Sequence, residues 1–225
     1  MSGTESSHLT LREAWEAAAT AWSDYVRAGL DPFFHVSLAA FVELLPPPRG
    51  KTLDIGCGEG RVGAELARLG HRVLGVEQSP TLAARARERH EVVETDAAHL
   101  PFEDATFPLA VSFNSLMDMD DAGAAVRAVA RVLEPGGRFC AAIVHPFLSA
   151  GSGEPLTIAG SYIEPTRLRG PLARGDFELE TMHRPLSWYA DAVFAAGLRV
   201  ETLREVPGRN RPHLPISLHL RAVKP

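Results

Sequence analysis

The run Leu53-Asp54-Ile55-Gly56-Cys57-Gly58-Glu59-Gly60-Arg61 constrains the fold of this chain more than any other stretch. A short strand pattern over 51–55 stops, glycine then falls at every second position, and a helical pattern over 60–69 begins. Glycine permits backbone angles closed to other residues and lets a ligand approach the main chain. The helix start behind it offers unpaired N–H groups. In open sheets with helices on both faces, ligands bind at the carboxyl ends of such strands. The expected site therefore lies over this turn.

The rest of the central region repeats the same rhythm. Strand patterns at 71–76, 91–95, 107–113 and 138–144 alternate with helical patterns at 79–89 and 121–133. That alternation predicts βαβ units and a parallel sheet. Before it, Leu11, Trp15, Ala18, Trp22 and Tyr25 or Val26 recur at helical spacing over 9–28, with Thr10 and Glu13 placed for a capping box. A second apolar helix over 34–45 stops at Pro46-Pro47-Pro48. After it, residues 145–182 lose the period and read as a loop-rich excursion with a short hairpin. A helix over 186–196 and strands over 198–206 and 216–223 close the chain. The expectation is a single domain over 1–225: a helical cap (1–48), a core (51–144), a lid over the site (145–182), and a last helix with a strand pair (183–225).

Charge and cysteine content exclude several classes. Lys+Arg is 23 against Asp+Glu 28, a net charge of −5, which excludes a strongly basic nucleic-acid binder. The residues beyond 144 are net basic, with Arg167, Arg169, Arg174, Arg184, Arg209 and Arg211 in the expected substrate-side segments. Two cysteines, Cys57 and Cys140, make neither a disulfide framework nor a zinc quartet, so no metal site is expected. No apolar run approaches the roughly 18 residues that span a bilayer, and the first residues carry no leader pattern. A cytoplasmic protein is the expectation.

Four motifs in this order, LDIGCGEG, GVEQS, TDAAHLPF and LEPGGRF, resemble the class I S-adenosylmethionine-dependent methyltransferases, in particular the small-molecule group related to quinone-biosynthesis enzymes. The resemblance covers about residues 40–144 and the final strand pair. It implies a Rossmann-like α/β fold with a seven-stranded sheet in the order 3-2-1-4-5-7-6, strand 7 antiparallel, under an N-terminal helical cap. S-adenosylmethionine is the implied cofactor. By position, the turn of Asp54, Gly56, Cys57 and Gly58, with Arg61 behind it, packs on the cofactor's methionine part. Glu77 binds both ribose hydroxyls, a task that suits a carboxylate. Gln78 flanks the adenine, Asp96 and Ala97 meet its edge, and Asn114 and Ser115 line the methionine side.

The implied reaction displaces a methyl group from a sulfonium, which requires in-line alignment and exclusion of water. An O–H or N–H acceptor also needs a base. His145, directly after the fifth strand, leads the candidates, and His183, in an HRPLSWY stretch resembling a family segment that closes the substrate pocket, is second. Tyr162 and His213 are further candidates on the substrate side. The aromatics Trp15, Trp22, Tyr25, Phe33 and Phe34 divide between packing and a lid; Trp15 reads as packing and Tyr25 as a lid residue facing substrate. Asp118, Asp120 and Asp121 read as an exposed loop and helix cap.

The acceptor expected is a small, partly apolar molecule. The residues after the fourth strand lack the Pro-Pro or Pro-Cys of nucleobase methyltransferases, and no stacking platform or basic track points to nucleic acid. Two alternatives remain. Gly58, Gly60 and Gly63 also satisfy G-x-G-x-x-G with Glu77 downstream, as in a nicotinamide-dependent oxidoreductase. The chain is alternatively a catalytically inactive, cofactor-binding partner of another subunit.

Overall fold

The structure is a computed structural model that describes residues 9–153, 156–158, 160–172, 175–209 and 211–225, without the side chains of 32 and 33. Arg174 and the Phe33 side chain thus lie outside the described residues. Two helices, α1 (Leu11–Arg27) and α2 (Pro32–Val42), precede the alternating region. That region runs β1 (Lys51–Ile55), α3 (Arg61–Arg68), β2 (Arg72–Glu77), α4 (Pro80–Ala86), β3 (Glu91–Glu94), β4 (Phe107–Phe113), α5 (Ala122–Val132) and β5 (Leu133–Val144). Then come α6 (Pro146–Ala150), the two-residue strands β6 (Gly151–Ser152) and β7 (Thr157–Ile158), β8 (Thr166–Pro171) and β9 (Glu178–His183). The chain ends with α7 (Leu186–Ala195), β10 (Arg199–Pro207) and β11 (Pro215–Val223).

Seven strands form one sheet in the order β3-β2-β1-β4-β5-β11-β10. The first five are parallel, and β11 runs antiparallel to both β5 and β10. This is the order expected from the motif resemblance. Helices cover both faces, so β1 and β4 are buried almost throughout. Along β4 the pleat sends Leu109, Val111 and Phe113 towards α2 and α3, where they pack with Phe41, Val62 and Leu66. Ala110 faces the opposite layer with Val126, Val129 and Tyr189.

Along β11 the polar residues Ser217 and His219 are buried. The Ser37 hydroxyl of α2 lies 2.9 Å from both Ser217 Oγ and His219 Nε2, which removes most of the penalty for burying those groups. The excursion after β5 is more regular than its composition suggests. It holds α6, a minimal β6–β7 pair and a six-residue hairpin of β8 with β9. The hairpin is pinned from outside by Arg167 with Glu180 and by Arg169 with Glu178.

Helix α1 is held against the carboxyl ends of the strands by polar contacts over its first two turns. Its start has the Thr10–Glu13 capping box, and the Asp120 carboxylate accepts from Leu11 N at 2.9 Å. One turn later Glu16 accepts from the Thr81 hydroxyl at 2.6 Å and from the Ser79 hydroxyl at the start of α4. These contacts fix the helix as a cover over the turn that follows β1.

Candidate active site

A cavity of about 380 Å³ opens above the carboxyl ends of β1, β2 and β4. Its floor is the glycine turn. Gly56, Gly58 and Gly60 all have positive φ, at 66°, 57° and 87°. At Gly56 a Cβ would sit 2.6 Å from Ser115 Cβ, so only glycine lets the turn approach the tip of β4. At Gly58 the same position is open space. Ser115 closes the joint from the other side: its hydroxyl donates to Ile55 O at 2.7 Å and lies 2.7 Å from Ser112 Oγ.

Glu77 ends β2 and holds the turn from the side. Oε2 accepts from Gly58 N at 2.9 Å, and Oε1 accepts from Ser79 N at 2.9 Å. Each oxygen retains a second lone pair, so two further donors can be accepted. Burial raises this carboxyl above its ordinary value, opposed by the N–H groups of Ser79, Gly58 and Gln78. Asp54 lies beneath the turn. Burial, reinforced by the charges of Glu77 and Glu59, pushes its carboxyl up to about 7. The same effects push the Cys57 thiol well above the ordinary range, so it is a neutral filler and not a thiolate.

The remaining cofactor-side residues converge on the same cavity. Arg61, Gln78, Asp96, Ala97, Asn114 and Ser115 all line it, together with Asp54, Gly56, Cys57, Gly58 and Glu77. The Asp96 carboxylate accepts from Ala98 N at 2.9 Å and so caps the short turn that presents Ala97. The Arg61 guanidinium is stacked 4.1 Å from the Phe34 ring and pairs with Asp31 and Glu59. It brackets the turn to the cap helices.

The substrate-side expectations divide. Tyr25 lines the cavity and is 4% exposed. His145, His183, Tyr162 and His213 are not on the cavity wall. His145 Nδ1 accepts from Phe147 N at 3.1 Å, capping α6, which leaves the proton on Nε2, 2.9 Å from Glu205 Oε1. Its only unprotonated nitrogen is thereby occupied, and burial lowers its proton affinity further. His183 Nε2 faces Tyr162 O at 2.8 Å and Nδ1 faces Ser149 Oγ at 2.8 Å. The Tyr162 hydroxyl accepts from Leu186 N at 3.3 Å. The geometry gives these three residues the work of fastening the β8–β9 hairpin and its flanking segments.

The cavity wall contains residues that periodicity assigned to packing or solvent. Trp15 and Trp22 both line it, their rings 5.5 Å apart and edge to face. The hairpin contributes Leu168, Leu179 and Thr181. Asp118 lines the cavity, whereas Asp120 and Asp121 cap α1 and α5 as expected. No periodicity separates Asp118 from its acidic neighbours, because it sits on a three-residue 3-10 turn. Among the described residues, no group of three or more His, Cys, Asp or Glu side chains could hold a metal ion, and no helix is long and apolar enough to cross a membrane.

Residues 53–141 match a family model described as a methyltransferase domain. This stretch carries the methyltransferase-domain pattern, on the sheet order that resemblance to the class I S-adenosylmethionine-dependent enzymes implies. The chain is 40% identical over 102 residues to methyltransferase GfsG of Streptomyces halstedii, covering 41% of this chain and 37% of that protein. It is 27% identical over 220 residues to a ubiquinone biosynthesis O-methyltransferase of Xanthomonas axonopodis pv. citri, covering 92% and 89%. Among solved structures, an S-adenosylmethionine-dependent methyltransferase from Mesorhizobium loti shares 25% identity with a TM-score of 0.66, covering 82% of this chain and 96% of that one. The chain spans well under half the length of the first curated relatives it matches: 29%, 37% and 41%.

The site fits S-adenosylmethionine on its own chemistry. Asp54 Oδ2 and Asn114 Oδ1 are buried beside the cavity with no hydrogen-bond partner among the described residues. Such acceptors call for a ligand rich in donors. S-adenosylmethionine brings an ammonium, two ribose hydroxyls and a positive sulfur to a cavity walled by carboxylates. The antiparallel β11 beside β5 removes the oxidoreductase alternative, whose sheet has no such strand.

Proposed function

We propose that the protein transfers a methyl group from S-adenosylmethionine to a small, apolar or aromatic acceptor that enters under the β8–β9 hairpin. One observation carries this reading. The same cavity joins the glycine turn, Glu77 and Asp96 to a second wall of Trp15, Trp22, Tyr25, Leu168 and Leu179. The first set offers hydrogen-bond partners for a nucleoside; the second offers aromatic and aliphatic surface without a basic track.

S-adenosylmethionine, when bound, supplies an electrophilic methyl on its sulfonium. The chain's own residues do the rest. Glu77 and Asp96 orient the nucleoside, and Asp54 and Asn114 accept hydrogen bonds at the methionine end. The α1 aromatics and the hairpin exclude water, which favours attack by the acceptor over hydrolysis. The cap (1–48), the core (51–144), the hairpin-bearing segment (145–182) and the last helix with its strands work as one catalytic unit. Likeness to an O-methyltransferase over 92% of this chain supports an oxygen acceptor.

Incubating the purified chain with methyl-deuterated S-adenosylmethionine and a panel of phenols, quinols and amines, read by mass spectrometry, tests this. Labelled product together with S-adenosylhomocysteine is expected. Tight cofactor binding without transfer to any acceptor would favour the inactive-partner alternative.

A further inference from the structure

The cavity holds one acid that the cofactor-side work leaves unused. Asp54 lies under the glycine turn, Glu77 accepts from two backbone N–H groups, and Asp96 caps its own turn. Glu59 accepts from Trp22 Nε1 at 3.1 Å and pairs with Arg61. Asp118 forms no ion pair among the described residues and caps no helix.

The fold nevertheless holds it in place. Arg184 donates to Leu116 O at 3.1 Å and Met119 O at 2.9 Å, clasping the turn that carries Asp118 from both sides. Thr181 Oγ1 donates to Met117 O at 3.1 Å, fixing the same turn to β9. The guanidinium of Arg184 lies over the Trp188 ring at 4.7 Å, with its donors spent on carbonyls. Its charge reaches Asp118 without a direct bond. Trp15 of α1 stands on the other side. Its Nε1 lies close enough for Asp118 to feel it, yet is buried with no hydrogen-bond partner of ordinary geometry. The Trp15 N–H and the Asp118 carboxylate thus border the same cavity, with Met117, Met119, Leu179 and Thr181 also lining it.

Resting on the methyl-transfer reading above, we propose that Asp118 is the acceptor-side base: its carboxylate meets an ionisable O–H or N–H on the apolar acceptor and takes the proton as the methyl arrives. The acceptor's lone pair forms the new bond to the methyl carbon, and the carbon–sulfur bonding pair is left on sulfur. The acceptor keeps the electrons of its X–H bond while the proton passes to Asp118. The Trp15 indole N–H donates to the same acceptor atom or to a neighbouring oxygen. The substrate class is therefore a proton-bearing nucleophile such as a phenol, quinol or amine, and not a carbon acceptor.

The groups facing Asp118 are Trp15 from α1, Thr181 from β9, Arg184 from the junction before α7, Tyr189 from α7 and Glu77 from β2. Burial dominates and pushes the Asp118 carboxyl up to about 7, against the pulls of Thr181, Trp15 and Arg184. A base tuned near neutrality is effective at neutral pH.

The test uses the intact chain saturated with S-adenosylhomocysteine at pH 8 and two isosteric probes, p-cresol and p-xylene, followed by calorimetry. The expected result is at least fivefold tighter binding of p-cresol. That preference falls to near unity in Asp118→Asn and returns in part in Asp118→Glu. p-Cresol bound no more tightly than p-xylene, or a preference unchanged in Asp118→Asn, overturns the assignment. Failure of the methyl-transfer reading is separable, because it shows first as absent S-adenosylhomocysteine binding in the wild type.

Discussion

Gly63→Ala pits helix propensity against packing, and the structure says which wins. Gly63 is buried in α3, directly behind the glycine turn. In a helix interior alanine is favoured over glycine by about 1 kcal/mol. A Cβ at this position, however, would lie 2.2 Å from His90 Nε2 and 2.4 Å from His90 Cδ2. The imidazole has no room to retreat: a Cβ at Gly75 would meet its Cε1 at 2.8 Å, and one at Gly60 would meet its Nε2 at 3.1 Å. Three glycines thus form the walls of one histidine's slot. Overpacking of this kind costs roughly 1–3 kcal/mol, and a boxed ring places the cost at or above the upper end. The expected net loss is about 2 kcal/mol, or roughly 4–8 °C in Tm for a chain of this size. Urea unfolding measures it. Adding His90→Ala to the alanine variant should recover most of the loss, with a coupling energy of about 2 kcal/mol. An alanine variant more stable than wild type by about 1 kcal/mol would refute the packing argument.

Further outcomes follow from the same geometry. A carboxyl whose folded value is raised adds stability that is complete below its unfolded value and is lost as pH rises through the folded one. With Asp118 at about 7, wild-type stability relative to Asp118→Asn should fall by about 1 kcal/mol between pH 6 and pH 8; a pH-independent difference would contradict the assignment. Arg184→Lys leaves the forked clasp on the carbonyls of Leu116 and Met119 half made. It should cost about 2 kcal/mol in urea unfolding, and a loss below about 0.5 kcal/mol would count against the clasp. His145→Gln and His183→Gln should bind S-adenosylhomocysteine within about twofold of wild type while unfolding at lower urea; a loss of binding would return these histidines to the site.

Legibility from sequence followed the range of the interactions. The sheet was readable because short strand patterns alternate with helices that have their own period, and resemblance to a known family implied the placement of β10 and β11. That the glycine turn and the acids Glu77 and Asp96 share one cavity was readable because they sit at fixed positions relative to strand ends. Asp118 was not, since three aspartates in four residues look alike until Arg184 and Thr181, more than 60 residues away, fix which one enters the cavity. Trp15 and Trp22 carried a helical period that packing explains equally well. His145 and His183 stood at the right chain positions, but their hydrogen bonds to Glu205, Phe147, Ser149 and Tyr162 depend on how the 145–183 segment folds back. Ser217 and His219 are buried because α2, far away in sequence, brings Ser37 over them.

Calorimetric titration of the chain with S-adenosylhomocysteine, beside Glu77→Gln, tests the central claim most directly. One site per chain is expected, with binding weakened by more than 1 kcal/mol in the variant, the scale of a lost charged hydrogen bond. Absence of binding at high micromolar ligand, or equal affinity in the two proteins, would contradict the account.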